Sequence, residues 1–365
     1  MKRSDGRVIA CGLGDDFIAT VADRLMEGRR DGMGDYSRIA VVFGGRRPAL
    51  FLNRELARRT KKSFCPPRYF SMDEFIRYVA TREEAAKGIG LMDACYCLYE
   101  LVKECAPDMA KGREEFSQFL PWAEEIAAFI DLLDLEDVDD AKLKSVQESA
   151  EIGYDVPESA NALLMRIAAL RDGYHRALRE KKRLPRGLAY LLASRRVGDM
   201  SFPEFDAIFF CNLFHLHKSE AAVVKSLYER GMASLFFQGD EREWGALEKL
   251  SRLFECEIRP PERPAPKPRL SLWAGFDTQS QAAIVREILT RMRVEDRRET
   301  VIVLPESESL MPLLSEIAAC AGEFNVSMGY PLKRSALYSL LQAVINAQMM
   351  RRGNACYARD YLRVI

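Results

Sequence analysis

The chain has 365 residues, of which 48% are hydrophobic and 30% are charged. This mixture is typical of a folded globular protein and excludes a disordered tail. Lysine and arginine together number 54, as do aspartate and glutamate, so the net charge alone indicates no nucleic-acid partner. The length predicts about two or three compact cores.

The sequence has no apolar run long enough to span a membrane, and its first residues carry charge where a signal peptide needs an apolar stretch. We therefore expect a cytoplasmic protein with no membrane partner. The nine cysteines are odd in number and lie in apolar contexts, which is typical of reduced thiols in a core. Cys95 and Cys97 have no second pair of ligands nearby, so no metal site is expected.

Charged residues are unevenly distributed along the chain. Basic residues dominate 38–77, acidic residues dominate 83–158, and a second basic run covers 166–196. Segregation of this kind is typical of a surface that attracts a phosphate backbone, and equally of solvated helix faces. Both interpretations stay open at the level of sequence.

Short runs rich in Val, Ile and Phe are each followed by an amphipathic stretch, which predicts a parallel sheet covered by helices. Up to residue 80 the predicted elements are strands over Arg7–Cys11, Arg38–Phe43 and Arg68–Ser71, with helices over Asp15–Glu27, over Pro48–Thr60 and from Met72. From 81 to 199 the strand signal gives way to long helical patterns such as Phe116–Leu133 and Ser159–Lys182. This segment is interpreted as a helical insertion.

The strand signal then returns. The elements predicted after the insertion are strands over Asp206–Cys211 and Ser234–Gln238 and a helix over Ser219–Arg230. Residues 1–80 and 200–258 are therefore expected to form one α/β domain with a single sheet. Residues 259–268 hold five prolines among charged residues, which predicts a linker.

A second α/β domain is predicted over 269–365. Its predicted elements are strands over Leu270–Trp273 and Thr300–Leu304 and helices over Gln279–Arg293, Leu310–Cys320 and Ala336–Met350. The last residues, Tyr357–Ile365, have the pattern of a helix start with no capping residue. We therefore expect this chain to be part of a longer protein whose second domain is truncated here.

The best local candidate for ligand binding is the turn Gly44-Gly45-Arg46-Arg47-Pro48, which joins a predicted strand to a helix start. Backbone N–H groups at such a start, together with two guanidinium forks, are suited to a phosphate. Pro48 fits the first helical turn, where its missing N–H would have no partner. The alternative is a surface turn whose arginines bind neighbouring carbonyl groups.

Several segments resemble those of AddB-like subunits of ATP-dependent helicase/deoxyribonucleases, which belong to the PD-(D/E)XK nuclease family. The resembling segments are RIAVVFGGRRPALFLNRELARR with CPPRYFSMDEFI, EEFSQFLPWAEEIAAFIDLLD, DAIFFCNLFHLHKSEAAVVKSL with LFFQGD, ETVIVLPESESLMPLLSEI, and NVSMGYPLKRSALYSLLQAVI. They cover nearly the whole chain, and F-L-P-W and M-G-Y-P-L are the more specific among them.

The resemblance implies two RecA-like domains of superfamily-one helicase type with an all-helical insertion. It implies a role in DNA double-strand-break repair, with DNA and an AddA-like helicase/nuclease subunit as partners. Contacts with single-stranded DNA carry over to Arg46, Arg47 and Ser71. By the same resemblance, the nuclease domain of the family would lie beyond Ile365.

The places where helicases bind and hydrolyse nucleotide are degenerate. The first strand is followed by CGLGDDFIAT, in which Gly12 and Gly14 remain but the phosphate-binding lysine is missing. The second place has Asn212 where a carboxylate pair would hold magnesium, and Gly239 and Asp240 form the following G-D turn. We therefore expect neither ATP hydrolysis nor any cofactor in this chain.

Other patterns are weaker. Pro107-Asp108 with Asp140 and Lys142 matches the nuclease motif by spacing only, in a helical context where that chemistry needs a strand bend. His215 and His217 lack a third ligand, and a hydrogen-bonded pair is the favoured interpretation.

Aromatic side chains leave one alternative open. Tyr69 and Phe70 are suited to stacking on bases but are more typical of a core. The tryptophans, Trp244 among them, are interpreted as core or domain-contact residues.

The leading hypothesis is a DNA-binding and scaffolding part without ATPase activity. The alternatives are an active nucleotide-dependent helicase or nuclease with an unrecognised site, and a protein-interaction module unrelated to DNA.

Overall fold

The computed structural model describes residues 6–27, 34–139, 158–262, 268–329, 331–351, 353, 355 and 357–362. The chain divides into two compact units, Met1–Pro266 and Lys267–Ile365, and the division falls inside the proline-rich stretch 259–268. The strands are β1 Val8–Cys11, β2 Ile39–Phe43, β3 Arg68–Ser71, β4 Lys87–Gly88, β5 Arg183–Leu184, β6 Ala207–Cys211 and β7 Ala233–Gln238.

In the first unit helices and strands alternate, except that α4, α5 and α6 follow one another between β4 and β5, and in the described part of the second unit helices follow one another. In the first unit they are α1 Phe17–Glu27, α2 Arg47–Thr60, α3 Met72–Ala80, α4 Leu91–Cys105, α5 Phe116–Leu135, α6 Glu158–Glu180, α7 Arg186–Arg196, α8 Lys218–Glu229 and α9 Gly245–Phe254. In the second unit they are α10 Thr278–Arg291, α11 Val294–Arg298, α12 Leu310–Ile317, α13 Ala336–Met349 and α14 Ala358–Tyr361.

The first unit is built on a five-stranded sheet with the order β1-β7-β6-β2-β3, in which every pairing is parallel. The predicted parallel sheet covered by helices is therefore confirmed. The strands that precede the helical segment, β1 to β3, share this sheet with β6 and β7, which follow it.

Strict alternation along the inner strands gives the sheet two apolar faces. Val42 of β2 and Phe210 of β6 point into one core, while Val41 and Phe209 point into the other. Helices α1 and α2 cover the face of Val41, and α3, α7, α8 and α9 cover the face of Val42. Both faces of a parallel sheet are thus buried, as the near-continuous apolar runs require.

The boundary predicted for the insertion, at residue 199, does not match the packing. Leu188 and Tyr190 of α7 are buried in the same core as the sheet residues Val42 and Phe210. The helices α4, α5 and α6 form a separate core that includes Leu98. Helix α7 therefore covers the sheet, although no strand pattern in the sequence marks the change from one core to the other.

Two short strands are not apparent from the sequence. Strands β4 and β5 are two residues each and pair in parallel, with Lys87 opposite Arg183 and Gly88 opposite Leu184. The segment that contains α4, α5 and α6 therefore begins and ends at two paired strands, β4 and β5. Two residues are too few for a period-2 pattern to be recognised in a sequence.

The predicted strands Leu270–Trp273 and Thr300–Leu304 are wrong. Both segments are coil, and no strand occurs among the elements described for residues 268–362. Leu272 is 87% exposed and Val303 is 82% exposed. The residue types of a strand are present, but a strand also needs a partner whose backbone it can pair with.

In the second unit the helices α10 and α12 form a small core of their own, from Ala282, Leu289, Leu313 and Ile317. In the part of the chain that the structure describes, no helix combines the length and the apolar character needed to cross a membrane.

Candidate nucleic-acid interface

The carboxyl ends of all five parallel strands meet at one edge of the sheet. In sheet order, the residues that end these strands or follow them are Gly12, Gly239, Asn212, Gly44 and Ser71. We call the turns at these positions the carboxyl edge. It is where ligands bind in open parallel sheets, and it brings together the positions that the sequence analysis had singled out.

The turn after β1 is closed by its own carboxylates. The N–H of Gly12 donates to Asp15 Oδ2 at 2.8 Å, and the N–H of Ala19, in the first turn of α1, donates to Asp16 Oδ1 at 2.9 Å. Gln238 Nε2 donates to the carbonyl of Asp15 at 3.2 Å and ties the turn to β7. Two carboxylates therefore occupy backbone donors that a phosphate would need. Gly14 lies exposed in the same turn.

The turn after β7 is held by an internal ion pair. Gly239 has a φ of +117°, which a side chain would resist, and its N–H donates to the carbonyl of Cys11 at 2.8 Å. Arg242 Nη2 donates to Asp240 Oδ2 at 2.6 Å, and this hydrogen bond lowers the pKa of Asp240. Asp240 thus organises the turn that leads to Trp244 and α9.

Asn212 follows β6 in the left-handed backbone region, with a φ of +60°. Its N–H donates to the carbonyl of Phe236 at 2.8 Å. Its side-chain Oδ1 is buried and accepts no hydrogen bond from any residue that the structure describes. An amide at this position offers no carboxylate to a magnesium ion.

The turn after β2 is tied to the turn after β3 through Glu74. The Glu74 carboxylate accepts from Arg46 on one side, and on the other from the Ser71 N–H at 2.8 Å and the Ser71 hydroxyl at 3.0 Å. These hydrogen bonds, first the one from the Ser71 backbone, lower the pKa of Glu74. Ser71 is therefore the N-cap of α3 in a capping box.

Arg47 is the unengaged cation of this turn. It is exposed, and its side chain makes no hydrogen bond or ion pair with another described residue. No side chain among the described residues caps α2, and a Cβ placed on Gly44 or Gly45 would meet nothing within 4 Å. The backbone at the start of α2 is therefore open to a ligand that approaches Arg47.

The carboxyl edge has opposite charge at its two ends. Arg46 is paired with Glu74 and, beyond β3, Arg186 is paired with Asp73 at 2.9 Å, so Arg47 is the uncompensated cation at the β2 end. At the β1 end the carboxylates are those of Asp15 and Asp16. An anionic chain is therefore attracted to the β2 end and repelled at the β1 end.

The rings of Tyr69 and Phe70 are engaged within the fold and are not available to stack on bases. Phe70 packs against Phe75 with ring centroids 5.6 Å apart, and the Tyr69 hydroxyl donates to Asn53 at 2.8 Å. Burial raises the pKa of the Tyr69 hydroxyl. Of the two sequence-based interpretations, the structure supports the core.

The aromatic pair that the sequence analysis missed is Phe214 and Trp244. Phe214 lies just beyond β6 and Trp244 just before α9, and their rings lie 5.4 Å apart at the carboxyl edge. Trp244 is 40% exposed, so it is not a core residue of the first unit, and its interpretation as a domain-contact residue stays a prediction. The sequence around Trp244 does not distinguish it from a core tryptophan, because Phe214, the ring that it contacts, lies in the turn after β6 and not near Trp244 in the chain.

The other chemical candidates do not form sites among the described residues. His217 Nδ1 lies 2.7 Å from Glu136 Oε1, and the rings of His215 and His217 are 5.8 Å apart. No group of three potential metal ligands is present in the ranges described. Pro107-Asp108 lies in the 3-10 turn Pro107–Ala110, and Asp140 and Lys142 are outside the described residues.

The fold and the site define an α/β protein whose carboxyl edge has an exposed arginine after β2 and a closed, acidic turn after β1. In comparisons with known proteins, no family model and no curated protein matches the chain.

Proposed function

We propose that the carboxyl edge binds single-stranded DNA and that this chain does not hydrolyse ATP. In this proposal it is the helicase-like part of a subunit that processes DNA ends in double-strand-break repair, with domains of RecA type. The observation that carries the proposal is the turn after β2, where Arg47 is exposed and unengaged beside two open glycines.

The phosphate contacts come from the two arginines. Glu74 holds the Arg46 guanidinium in place, so less rotamer entropy is lost when that group meets a phosphate. Arg47 supplies the second fork, and it has no intramolecular partner to give up among the described residues. Guanidinium groups at a helix start contact phosphates and not base edges, so they contribute affinity with little sequence preference.

The base contact comes from Trp244. Neighbouring strands lie about 4.8 Å apart, so the turn after β2, which is two strands from the turn after β7, lies about 10 Å from it. A strand of DNA that has its phosphates at Arg46 and Arg47 can therefore place a base on the exposed Trp244 ring. Stacking on an aromatic ring is tolerant of sequence.

The turn after β1 supports the proposed absence of ATP hydrolysis. Asp15 and Asp16 occupy backbone donors of the turn and of α1, and their charge repels a triphosphate. No lysine stands in the segment 11–20 to compensate. The proposal of an enzyme with an unrecognised site gains no support from this geometry.

The test is fluorescence anisotropy of labelled single-stranded DNA of mixed sequence, titrated with the full chain over a range of salt concentrations. Arg46→Ala with Arg47→Ala should weaken binding similarly for different sequences. Because two phosphate contacts are lost, the log–log dependence of affinity on salt should become shallower by about 1.4. Trp244→Phe should retain most of the affinity, and Trp244→Ala should weaken it by about tenfold.

Two control variants carry comparable changes elsewhere. Arg252→Ala removes an exposed arginine near the far end of α9, and Glu124→Ala with Glu125→Ala removes exposed charges from α5. Both should bind DNA like the parent chain. If the double arginine variant binds like the parent at every salt concentration, the phosphate site is wrong. If the parent chain itself does not bind, the interaction-module alternative is favoured.

An AddA-like motor subunit is the proposed protein partner. This part of the proposal rests on the sequence resemblance and on the exposed apolar side chains of the second unit, such as Leu272 and Val303. Co-purification of the full chain with that subunit, with and without Leu272→Ser and Val303→Ser, tests it. Unchanged co-purification of the double variant would exclude these residues from the contact.

A further inference from the structure

Helix α2 has a solvent-exposed face that begins at the carboxyl edge and leads away from it. The helix follows β2 and precedes β3, and because these strands are parallel it runs from the carboxyl edge to the opposite edge of the sheet. Leu52 and Leu56 are buried in the core under the sheet. The side chains on the opposite side of the helix recur at intervals of three, four and seven residues. We call them the outer face of α2, and they are Arg47, Leu50, Phe51, Arg54, Arg58 and Lys61.

Most of the cations on the outer face have no intramolecular partner. The side chains of Arg54 and Lys61, like that of Arg47, are exposed and make no hydrogen bond or ion pair with another described residue. Arg58 differs, since its Nη2 donates to Glu55 Oε1 at 2.7 Å. Glu55 is the one acidic residue of α2, and it is half-buried beside this face. The outer face is therefore positively charged along its whole length and attracts a polyanion.

Two large apolar side chains interrupt this line of cations. Phe51 is 50% exposed and Leu50 is 65% exposed, and neither belongs to the core that lies under α2. Phe51 lies one helical turn from Arg47 and one turn from Arg54, so its ring neighbours both guanidinium groups. Cations that follow a nucleic-acid backbone, with an exposed ring between them for a base, are typical of surfaces that bind a single strand. A merely solvated helix face requires no such ring.

The order of residues around α2 distinguishes between anionic partners. Leu50 and Phe51 point in directions about 100° apart around the helix axis, and Arg47 and Arg54 project between them. A helix that inserts into an anionic lipid surface has one continuous apolar stripe. On α2, insertion of both apolar side chains would bury two guanidinium groups. Duplex DNA would satisfy the cations, but its bases are stacked inside and leave Phe51 without a contact.

We propose that the outer face of α2 binds the continuation of the DNA single strand held at the carboxyl edge, with a base on Phe51 and phosphates at Arg54 and Lys61. This inference rests on the proposed binding of single-stranded DNA. Arg54 lies seven residues from Arg47, about 10 Å along the helix, and Lys61 lies seven residues further on. The 14 residues of α2 extend for about 21 Å, which about six stacked nucleotides would span.

Fluorescence anisotropy of the full chain with labelled single-stranded DNA of about 16 nucleotides tests the proposal, because this length exceeds the path along the carboxyl edge and α2. Phe51→Ala should weaken binding by about tenfold, since one stacked base is lost. Phe51→Trp should retain the affinity of the parent chain, because it restores a ring. Arg54→Gln with Lys61→Gln should make the log–log dependence of affinity on salt shallower by about 1.4, since two phosphate contacts are lost.

Matched control variants change similar residues away from α2. Tyr96→Ala removes a ring of α4 that is 51% exposed, and Arg176→Gln with Lys181→Gln removes two exposed cations from α6 and the residue that follows it. Both controls should bind DNA like the parent chain. If Phe51→Ala and the Arg54 and Lys61 double variant also bind like the parent, the inference is wrong.

Failure of this inference and failure of the proposed function give different results. If Arg46→Ala with Arg47→Ala weakens binding and the Phe51 and Arg54 variants do not, the carboxyl edge binds DNA and the outer face of α2 does not. If the reverse holds, the outer face binds DNA and the site at the carboxyl edge is wrong.

Two further probes test the class of partner. The parent chain should bind a duplex of the same length more weakly than the single strand, and Phe51→Ala should not change its binding to the duplex. It should not bind vesicles that contain anionic phospholipid. Equal affinity for the duplex, or vesicle binding that is lost in Phe51→Ala, would overturn the assignment to a single strand. If the parent chain does not bind single-stranded DNA, both the proposed function and this inference fail.

Discussion

At the scale of single residues, Asp15 and Asp16 decide what the first turn can do. In a phosphate loop the backbone N–H groups after the first strand stay open for the ligand. Here Asp15 accepts from Gly12, and Asp16 caps α1 by accepting from Ala19. The carboxylates of Asp15 and Asp16 occupy backbone donors that a phosphate would need, so we interpret the turn as structural.

This leads to a prediction for Asp16. Asp16→Ala should lower the free energy of unfolding by about 1 kcal/mol, because the α1 N-terminus loses its cap. Urea denaturation measures the change. Asp172→Ala removes an exposed carboxylate of α6 that has no partner among the described residues, and should not lower stability.

The parent chain should also show no heat of binding with magnesium and ATP at millimolar concentrations. Tight binding that is lost on mutation of Gly12 would overturn the structural interpretation of this turn.

At the scale of elements, the close packing of α7 on α5 depends on Gly187. A Cβ at Gly187 would lie 2.6 Å from the backbone carbonyl oxygen of Asp131 and 2.8 Å from its Cα. The Gly187 N–H also donates to Asp131 Oδ1 at 2.9 Å. This contact joins the helical segment to a helix that covers the sheet.

We therefore predict that Gly187→Ala destabilises the first unit by about 1–3 kcal/mol, because backbone atoms of α5 must move to admit the methyl group. The change is measured by thermal or urea denaturation. Gly198→Ala serves as the control, since nothing lies within 4 Å of a Cβ at that position. Equal stability of the two variants would show that α5 and α7 can separate at little cost.

At the scale of the whole molecule, distant segments are joined by a cluster of Glu204, Arg82 and Tyr78. Arg82 Nη2 donates to Glu204 Oε2 at 2.8 Å, and the Tyr78 hydroxyl donates to the same carboxylate. Burial raises the pKa of Glu204, but the hydrogen bonds from Arg82 and Tyr78 outweigh it and lower that pKa to about 2. The cluster links the end of α3 to the chain that enters β6.

This cluster predicts a pH dependence of stability. The pKa of Glu204 is lower in the fold than its ordinary value of 4.5, so its contribution is complete above about pH 4.5 and disappears as the pH falls to about 2. The contribution is about 2 kcal/mol after allowance for partial exposure. In the Glu204→Gln variant the free energy of unfolding, measured by urea denaturation, should fall less between pH 6 and pH 3 than it does in the parent chain.

Glu243→Gln changes an exposed carboxylate outside this cluster, and its free energy of unfolding should fall between pH 6 and pH 3 as much as in the parent chain. If the free energy of unfolding of the Glu204→Gln variant falls with pH as steeply as in the parent chain, other carboxylates account for the loss of stability in acid.

The sequence by itself determined the local elements of the first unit, because their signals are carried by neighbouring residues. Strand β3 and the start of α3 at Met72 were predicted at their observed bounds, since Ser71 and Glu74 form a capping box within four residues. The two aspartates and the missing lysine predict that the turn at Gly12 binds no nucleotide, whereas the hydrogen bond that closes the turn is seen only in the structure. Hydrophobic periodicity and helix capping depend on residues that are close together in the chain, so both can be recognised in the sequence alone.

Only the tertiary structure decided which segments meet. The strand order β1-β7-β6-β2-β3 places Trp244 beside Phe214 at the carboxyl edge. The apolar run at Leu270–Trp273 has strand composition but no pairing partner among the described residues. Contacts of this kind join residues far apart in the chain, and no local pattern encodes them, because they depend on how whole elements bury their apolar faces against one another.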